Sequence, residues 1–407
     1  MAQKRKTYLN LSEKNTLLPQ EETLEIKQEK KKFSIGIPME SDPNERRIPL
    51  VPNAVGLLVN NGHRVILERG AGKAAHFEDR LYAEAGADIV ETPNDVYQTD
   101  IVIKIAPPTE NEIQMMGRNR ILFSSISLQS RDKTYFHNLM EKNANAIAFE
   151  LIKDKTGAFP LLRSMSEIIG NASIMIASEY LSSPEYGKGV MLGGFAGIRP
   201  SDVVVIGAGT VAEYAARTAI GMGALVKIFD DSIYKLRYIQ KMLGARVFTS
   251  ILQPVLLQKA LREADVVIAA KHSPTGQSSC LVSADMVRQM KTGAVIVDVS
   301  IDQGGCFETS KPTSHKHPVY KEFGVTHYCV PNIASRVPHT ASYSLSNFLT
   351  TLLLHMGDAG SVEQLINKDK AFGNGVYLFS GILTNKNIAD KFGLPFRDLD
   401  LLMAALR

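Results

Sequence analysis

At 407 residues, 44% of them apolar and 22% charged, the chain is long enough for two or three domains, and its apolar content excludes disorder throughout. No apolar run approaches the roughly 18 residues that a membrane span requires. The net charge of +4 is concentrated in residues 1–32, which hold +3 of it, so the body lacks the concentrated basic face that nucleic-acid binding needs.

In chain order, residues 1–32 carry basic clusters with no apolar segment behind them and read as a polar, disordered tail, not a secretory signal. Ordered structure is expected from Phe33, with a buried strand over 33–38, a helix over 54–61 that ends before Gly62, and a strand over 63–68. Apolar runs at 87–91, 101–105, 121–125 and 146–150 alternate with helical stretches, the pattern of parallel α/β units. A second series of strands is read at 203–206, 225–229, 266–270 and 294–298. After Pro338, the positions Leu345, Phe348, Leu349, Leu352 and Leu353 recur at helical spacing and predict a helix over 341–356 that packs back on the first series. His63 and His327 read as packing residues. Cys280, Cys306 and Cys329 fit neither a disulfide framework nor a zinc site, so a reducing cytoplasm and no metal are expected.

The sharpest local signal is Val203-Val-Val-Ile-Gly-Ala-Gly-Thr-Val-Ala212, a strand running through a glycine turn into a helix. Gly207 permits the tight turn, Gly209 lets backbone approach a pyrophosphate, and Ala212 is small enough for close helix–strand packing. Asp230 ends the next strand, where a carboxylate takes ribose hydroxyls and repels a 2′-phosphate, which points to NAD.

Beyond this turn, the chain carries Gly36-Ile-Pro38, Asn44-Glu-Arg-Arg47, Met165-Ser-Glu167, Ile301-Asp-Gln-Gly-Gly305 and Tyr328-Cys-Val-Pro-Asn332, among others. In these it resembles the alanine dehydrogenase family, which shares its fold with the NAD-binding subunit of proton-translocating transhydrogenase. It implies an α/β protein of two Rossmann-like lobes, in which a doubly wound parallel NAD-binding sheet (161–338) is inserted into a discontinuous catalytic domain (33–160 and 339–407). It further implies oxidation of L-alanine to pyruvate and ammonium with NAD and water, in a cytoplasmic homo-oligomer acting on a small molecule. The C-terminal Leu401, Leu402 and Leu406 are compatible with subunit contact.

In residue terms, the resemblance implies that Arg47 holds the substrate carboxylate and that Asp302 stands at the nicotinamide. It adds Ser166, Thr210 and Asn332 to the cofactor contacts. Two family positions differ: a substrate-binding lysine is replaced by Ala106 and a proton-carrying histidine by Ser127. Alanine can hold no carboxylate, and serine exchanges no proton near neutrality. Lys271 and His272, at the carboxyl end of a strand on the crevice side, are expected to supply the missing groups. Two other readings follow from the same substitutions, a transhydrogenase-like hydride exchange and a cofactor-binding sensor or partner protein without catalysis.

Overall fold

The structure, a computed structural model, describes residues 31–128, 131–271 and 280–405, and within them the apolar runs become strands. The first six are β1 (Ser34–Ile37), β2 (Arg64–Glu68), β3 (Asp88–Val90), β4 (Ile101–Ile103), β5 (Ile121–Ser124) and β6 (Asn145–Ala148). Seven more follow: β7 (Asp202–Ile206), β8 (Leu225–Phe229), β9 (Phe248–Ser250), β10 (Val266–Ala269), β11 (Val295–Asp298), β12 (Val319–Glu322) and β13 (Val325–Tyr328). The last two, β14 (Val376–Phe379) and β15 (Ile382–Leu383), return to the first sheet, whose order is β15-β14-β6-β5-β4-β1-β2-β3. The second sheet runs β12-β13-β11-β10-β7-β8-β9.

Both sheets are parallel except at β12, β14 and β15, which pair antiparallel. β7, β10 and β11 are buried at every position, which is why their sequences, apart from Asp202 and Asp298 at strand ends, are continuous apolar runs with no alternation. The chain is therefore an α/β protein of two doubly wound sheets. In the first, β1 lies between β4 and β2; in the second, β7 lies between β10 and β8. These are the points where strand order reverses, and crevices for ligands open at the carboxyl ends there.

Three helices position the sites. The helix predicted over 341–356 runs Pro338–Ala359: Pro338 needs no N–H partner in the first turn, and Gly360 ends the helix at φ +84°. Its Ser342 and Ser346 hydroxyls accept from the Ile48 and Val51 N–H groups, tying it to the first lobe. The helix predicted over 54–61 spans Pro52–Asn60 for the same reason at its start. The helix Pro160–Ser182 crosses from the first sheet to the second and packs on the helix Thr210–Gly221. β9, β12, β14 and β15 were not anticipated: all are short, at two to four residues, and too brief to show a period.

Close packing of those two helices depends on Gly170. A Cβ there would lie 2.5 Å from the Val211 carbonyl oxygen and 2.7 Å from Tyr214 Cβ. Alanine normally stabilises a helix interior by about 1 kcal/mol over glycine. Here overpacking outweighs it, so Gly170→Ala is expected to lower stability by about 1–3 kcal/mol in urea unfolding.

Of the tail read over 1–32, residues 1–30 lie outside the described residues, while the Lys31 N–H donates to the Gly357 carbonyl at 3.1 Å. Leu401 is exposed, Leu402 is partly buried, and Leu406 lies outside the described residues. Among the described residues no helix is long and apolar enough to cross a membrane.

Candidate active site

The second sheet's crevice is built by the turn after β7. Gly207 has φ +112°, and a Cβ on it would sit 2.5 Å from the Ala270 carbonyl oxygen, so both conformation and space demand glycine. Gly209 caps the helix Thr210–Gly221 with no side-chain partner and has open space where a Cβ would stand. Ala212 is fully buried against the sheet, and Thr210 is the first residue of the helix. The first-turn N–H groups thus face free space at the positive end of the helix dipole, which suits a pyrophosphate.

Asp230 is buried at the end of β8 and is committed to the backbone: Oδ2 accepts from the Ala208 N–H at 2.9 Å and Oδ1 from the Ser232 N–H at 2.8 Å. It thereby braces the glycine turn. Lys271 reaches across from the end of β10, with Nζ 2.5 Å from Asp231 Oδ1 and 3.7 Å from Asp230 Oδ2. The two carboxylates at the end of β8 hold the Lys271 ammonium beside them in this structure. His272 lies outside the described residues.

The second constellation joins the two lobes. Arg47 lies on the segment after β1, and its guanidinium forks onto Glu45, with Nε to Oε1 at 2.8 Å and Nη2 to Oε2 at 2.5 Å; Nη1 lies 3.5 Å from Met165 Sδ. Burial alone would raise the Glu45 carboxyl, but Arg47 and the Ser335 hydroxyl hold it below its ordinary value. Asn332, which sits in the left-handed region at φ +60°, donates from Nδ2 to Glu45 Oε2 at 2.9 Å and to Ser335 Oγ at 2.9 Å. Its backbone N–H serves the Asp302 carboxylate. Asn332 therefore connects Arg47's partner on one sheet to Asp302 on the other. Ser166 follows Met165 on the helix Pro160–Ser182, and its hydroxyl bonds back to the Leu162 carbonyl at 2.8 Å.

Asp302 lies on a short 3₁₀ turn, Val299–Gln303, at the carboxyl end of β11. Asp302 is exposed to solvent, yet desolvation by the surrounding protein, helped by the nearby Asp298 charge, pushes its pKa up to about 6, against the pull of Asn332 and Arg47.

Sequence reasoning missed Glu40. Two residues past the Pro38 turn, its carboxylate bridges the switch point of the first sheet, accepting from the Ile105 N–H at 2.5 Å and the Ala106 N–H at 3.2 Å. Burial pushes its pKa up to about 7, opposed by Lys104 and reinforced by Glu45. Lys104 is fully buried, but its ammonium is taken by Glu112 at 2.9 and 3.0 Å and stands 3.9 Å from Glu40. Ser127, at φ +43°, follows Ile126, whose N–H donates to Glu150 at 2.8 Å; burial pushes the Glu150 carboxyl up to about 7. The signal that could have found Glu40 is topological: β1 and β4 are neighbours, and a carboxylate just past β1 meets the end of β4.

His63 accepts from the Phe33 N–H at 3.2 Å and stacks on its ring. His327 is buried on β13, with Nε2 2.8 Å from the Thr309 hydroxyl. Both are held in packing. His315 is a further buried histidine near the site: it hydrogen-bonds the Asn332 backbone, and burial together with the Arg46 charge lowers its pKa.

Residues 36–169 match the family model described as alanine dehydrogenase/PNT, N-terminal domain, and residues 173–386 match its C-terminal counterpart. The alanine dehydrogenase of Mycolicibacterium smegmatis is 37% identical over 365 residues, covering 89% of this chain and 98% of that one. The alanine dehydrogenase of Methanococcus maripaludis is 36% identical over 364 residues, covering 89% and 97%. Among solved structures, an L-alanine dehydrogenase superposes with a TM-score of 0.82 at 36% identity, covering 88% of this chain and 98% of that one. A transhydrogenase from Sinorhizobium meliloti superposes with a TM-score of 0.74 at 24% identity, covering 87% and 99%, a likeness of fold.

Proposed function

Because the chain belongs to the alanine dehydrogenase family, we propose that it is an NAD-dependent oxidoreductase acting on the CH–NH2 group of amino acids, taking L-alanine and water to pyruvate and ammonium. The observation that carries this reading is the linkage from Arg47 through Glu45 and Asn332 to Asp302. It sets a guanidinium and a carboxylate together at the carboxyl-end edge of the sheet that also carries the Gly207 turn. When bound on that turn, NAD supplies the hydride acceptor.

This chain's own residues do the rest. Arg47 has spent its Nε/Nη2 edge on Glu45, which fixes the guanidinium plane and leaves Nη1 beside Met165 as the donor for a substrate carboxylate. Asp302 stabilises the cationic imine and orients the attacking water. Glu40 holds or releases a proton near neutral pH at the end of β4, beside the Ala106 backbone, with Lys104, Glu45 and Arg47 as the charges around it. The cofactor face takes Gly207, Gly209, Thr210, Ala212, Asp230, Ser166 and Asn332. Cys280, Cys306 and Cys329 form no disulfide with one another, which fits a cytoplasmic protein, and the exposed Leu401 suits a homo-oligomer, which sedimentation measures.

Formation of NADH from NAD and L-alanine by the purified protein tests the activity. Binding of NADH without turnover of L-alanine, or of pyruvate with ammonium, would remove it. The pH profile adds a check on the proton carrier. Oxidation of alanine needs the base form, so kcat/KM should rise with pH through about 7, where Glu40 ionises. Glu40→Gln should lose that limb and about 10²-fold in kcat while still binding NADH.

A further inference from the structure

The charge arrangement at the ribose edge departs from what Asp230 alone implies. A lone carboxylate at the end of the second Rossmann strand rejects a 2′-phosphate by repulsion. Here that edge has two carboxylates and an ammonium. Asp230 is 1% exposed, and both of its oxygens already accept backbone N–H groups, from Ala208 and Ser232. Asp231 is its opposite, with a side chain 67% exposed that is held to Lys271 at 2.5 Å. Lys271 crosses over the Gly207 turn from β10, its backbone carbonyl anchored by the Ser300 hydroxyl at 2.9 Å, and its Nζ stands 3.7 Å from Asp230. The helix Ile233–Leu243, capped by Ser232, begins at the same edge and presents its positive end there.

We infer that Lys271 makes this site accept the 2′-phosphate of NADP(H) as well as NAD(H), with Asp231 as the group it exchanges. With NAD, Lys271 stays paired to Asp231 and Asp230 receives the ribose hydroxyls. With NADP, the exposed Asp231 swings into solvent and its place on Lys271 is taken by the phosphate, an acceptor of higher charge in the same position. Asp230 cannot leave, because the glycine turn hangs on it, so the ammonium is what offsets its repulsion. No atom of the substrate cleft takes part, and the inference rests on the cofactor reading above.

Equilibrium titration of the purified full chain with NADH and with NADPH, followed by nucleotide fluorescence, tests it without reference to turnover. The wild type should bind NADPH within about tenfold of NADH. Lys271→Ala should weaken NADPH by about tenfold or more and NADH by less than about threefold, and Lys271→Arg should keep NADPH binding. Asp231→Asn, at an exposed position that the fold does not need, should tighten NADPH and leave NADH unchanged. Binding of NADH with NADPH more than about 10²-fold weaker overturns the inference and leaves the NAD reading standing, as does a Lys271→Ala variant that weakens both nucleotides equally. If neither nucleotide binds, the cofactor reading itself has failed and this inference falls with it.

Discussion

Arg47→Ala is expected to destabilise the protein by about 3–5 kcal/mol, and not only to weaken substrate binding, because it strands a carboxylate that the fold has buried. Side-chain exposure is 4% for Glu45 and 12% for Arg47, and the two are joined by a two-pronged contact along the Nε/Nη2 edge. With Arg47 gone, Glu45 keeps Asn332 and Ser335 as neutral donors but has lost its counter-charge. A double variant, Glu45→Leu with Arg47→Met, should recover most of that loss, since a buried ion pair gives little net stability over apolar side chains of similar volume. Substrate binding should stay lost in the double variant, because methionine offers no donor for a substrate carboxylate where the Arg47 guanidinium stood. Urea unfolding read beside the KM for alanine separates the two effects. A single Arg47→Ala variant as stable as the wild type would show that Glu45 does not depend on this partner.

The contrast between the two halves of the site explains what the sequence could and could not yield. Gly207, Gly209 and Asp230 lie within 24 residues on consecutive elements, so strand, turn, helix and acid are read from local order alone. Arg47 and Asp302 stand 255 positions apart and meet only because two sheets share one junction; the motifs around them marked the residues, not the meeting. Glu40 and Asn332 complete that junction through contacts between neighbouring strands and lobes, which no window of sequence contains. Lys271 shows a related limit: its position on the crevice side was legible, but its pairing with Asp231, just past a strand two places away across β7, was not. Ala106 and Ser127 read as losses along the chain; in the fold, the ground around them holds Glu40 and Glu150, carboxyls that both titrate near neutrality.

Asp302→Asn should cost about 10²–10³-fold in kcat while leaving NADH binding within a few-fold, since the variant keeps shape and polarity but removes the charge that faces the developing cation. The geometry makes the substitution a mild one structurally: the amide oxygen can still accept from the Asn332 N–H, and the side chain opens to the cleft. Two pH signatures distinguish loss of this charge from general damage. In the wild type, activity that needs the ionised carboxylate rises with pH through about 6; the variant should lack that limb and keep the one near 7 that belongs to Glu40. Stability should move the other way. A carboxyl whose pKa is raised by folding contributes stability that is present below its unfolded pKa, near 4, and is lost as pH rises through about 6. The wild type therefore carries this cost at pH 8 and the variant does not. Asp302→Asn should melt higher than the wild type at pH 8, by an amount worth less than about 1 kcal/mol because solvent reaches the carboxylate, and equally at pH 4. A variant that loses activity and also loses stability at pH 8 would mean that Asp302 holds the junction together and does not serve the chemistry.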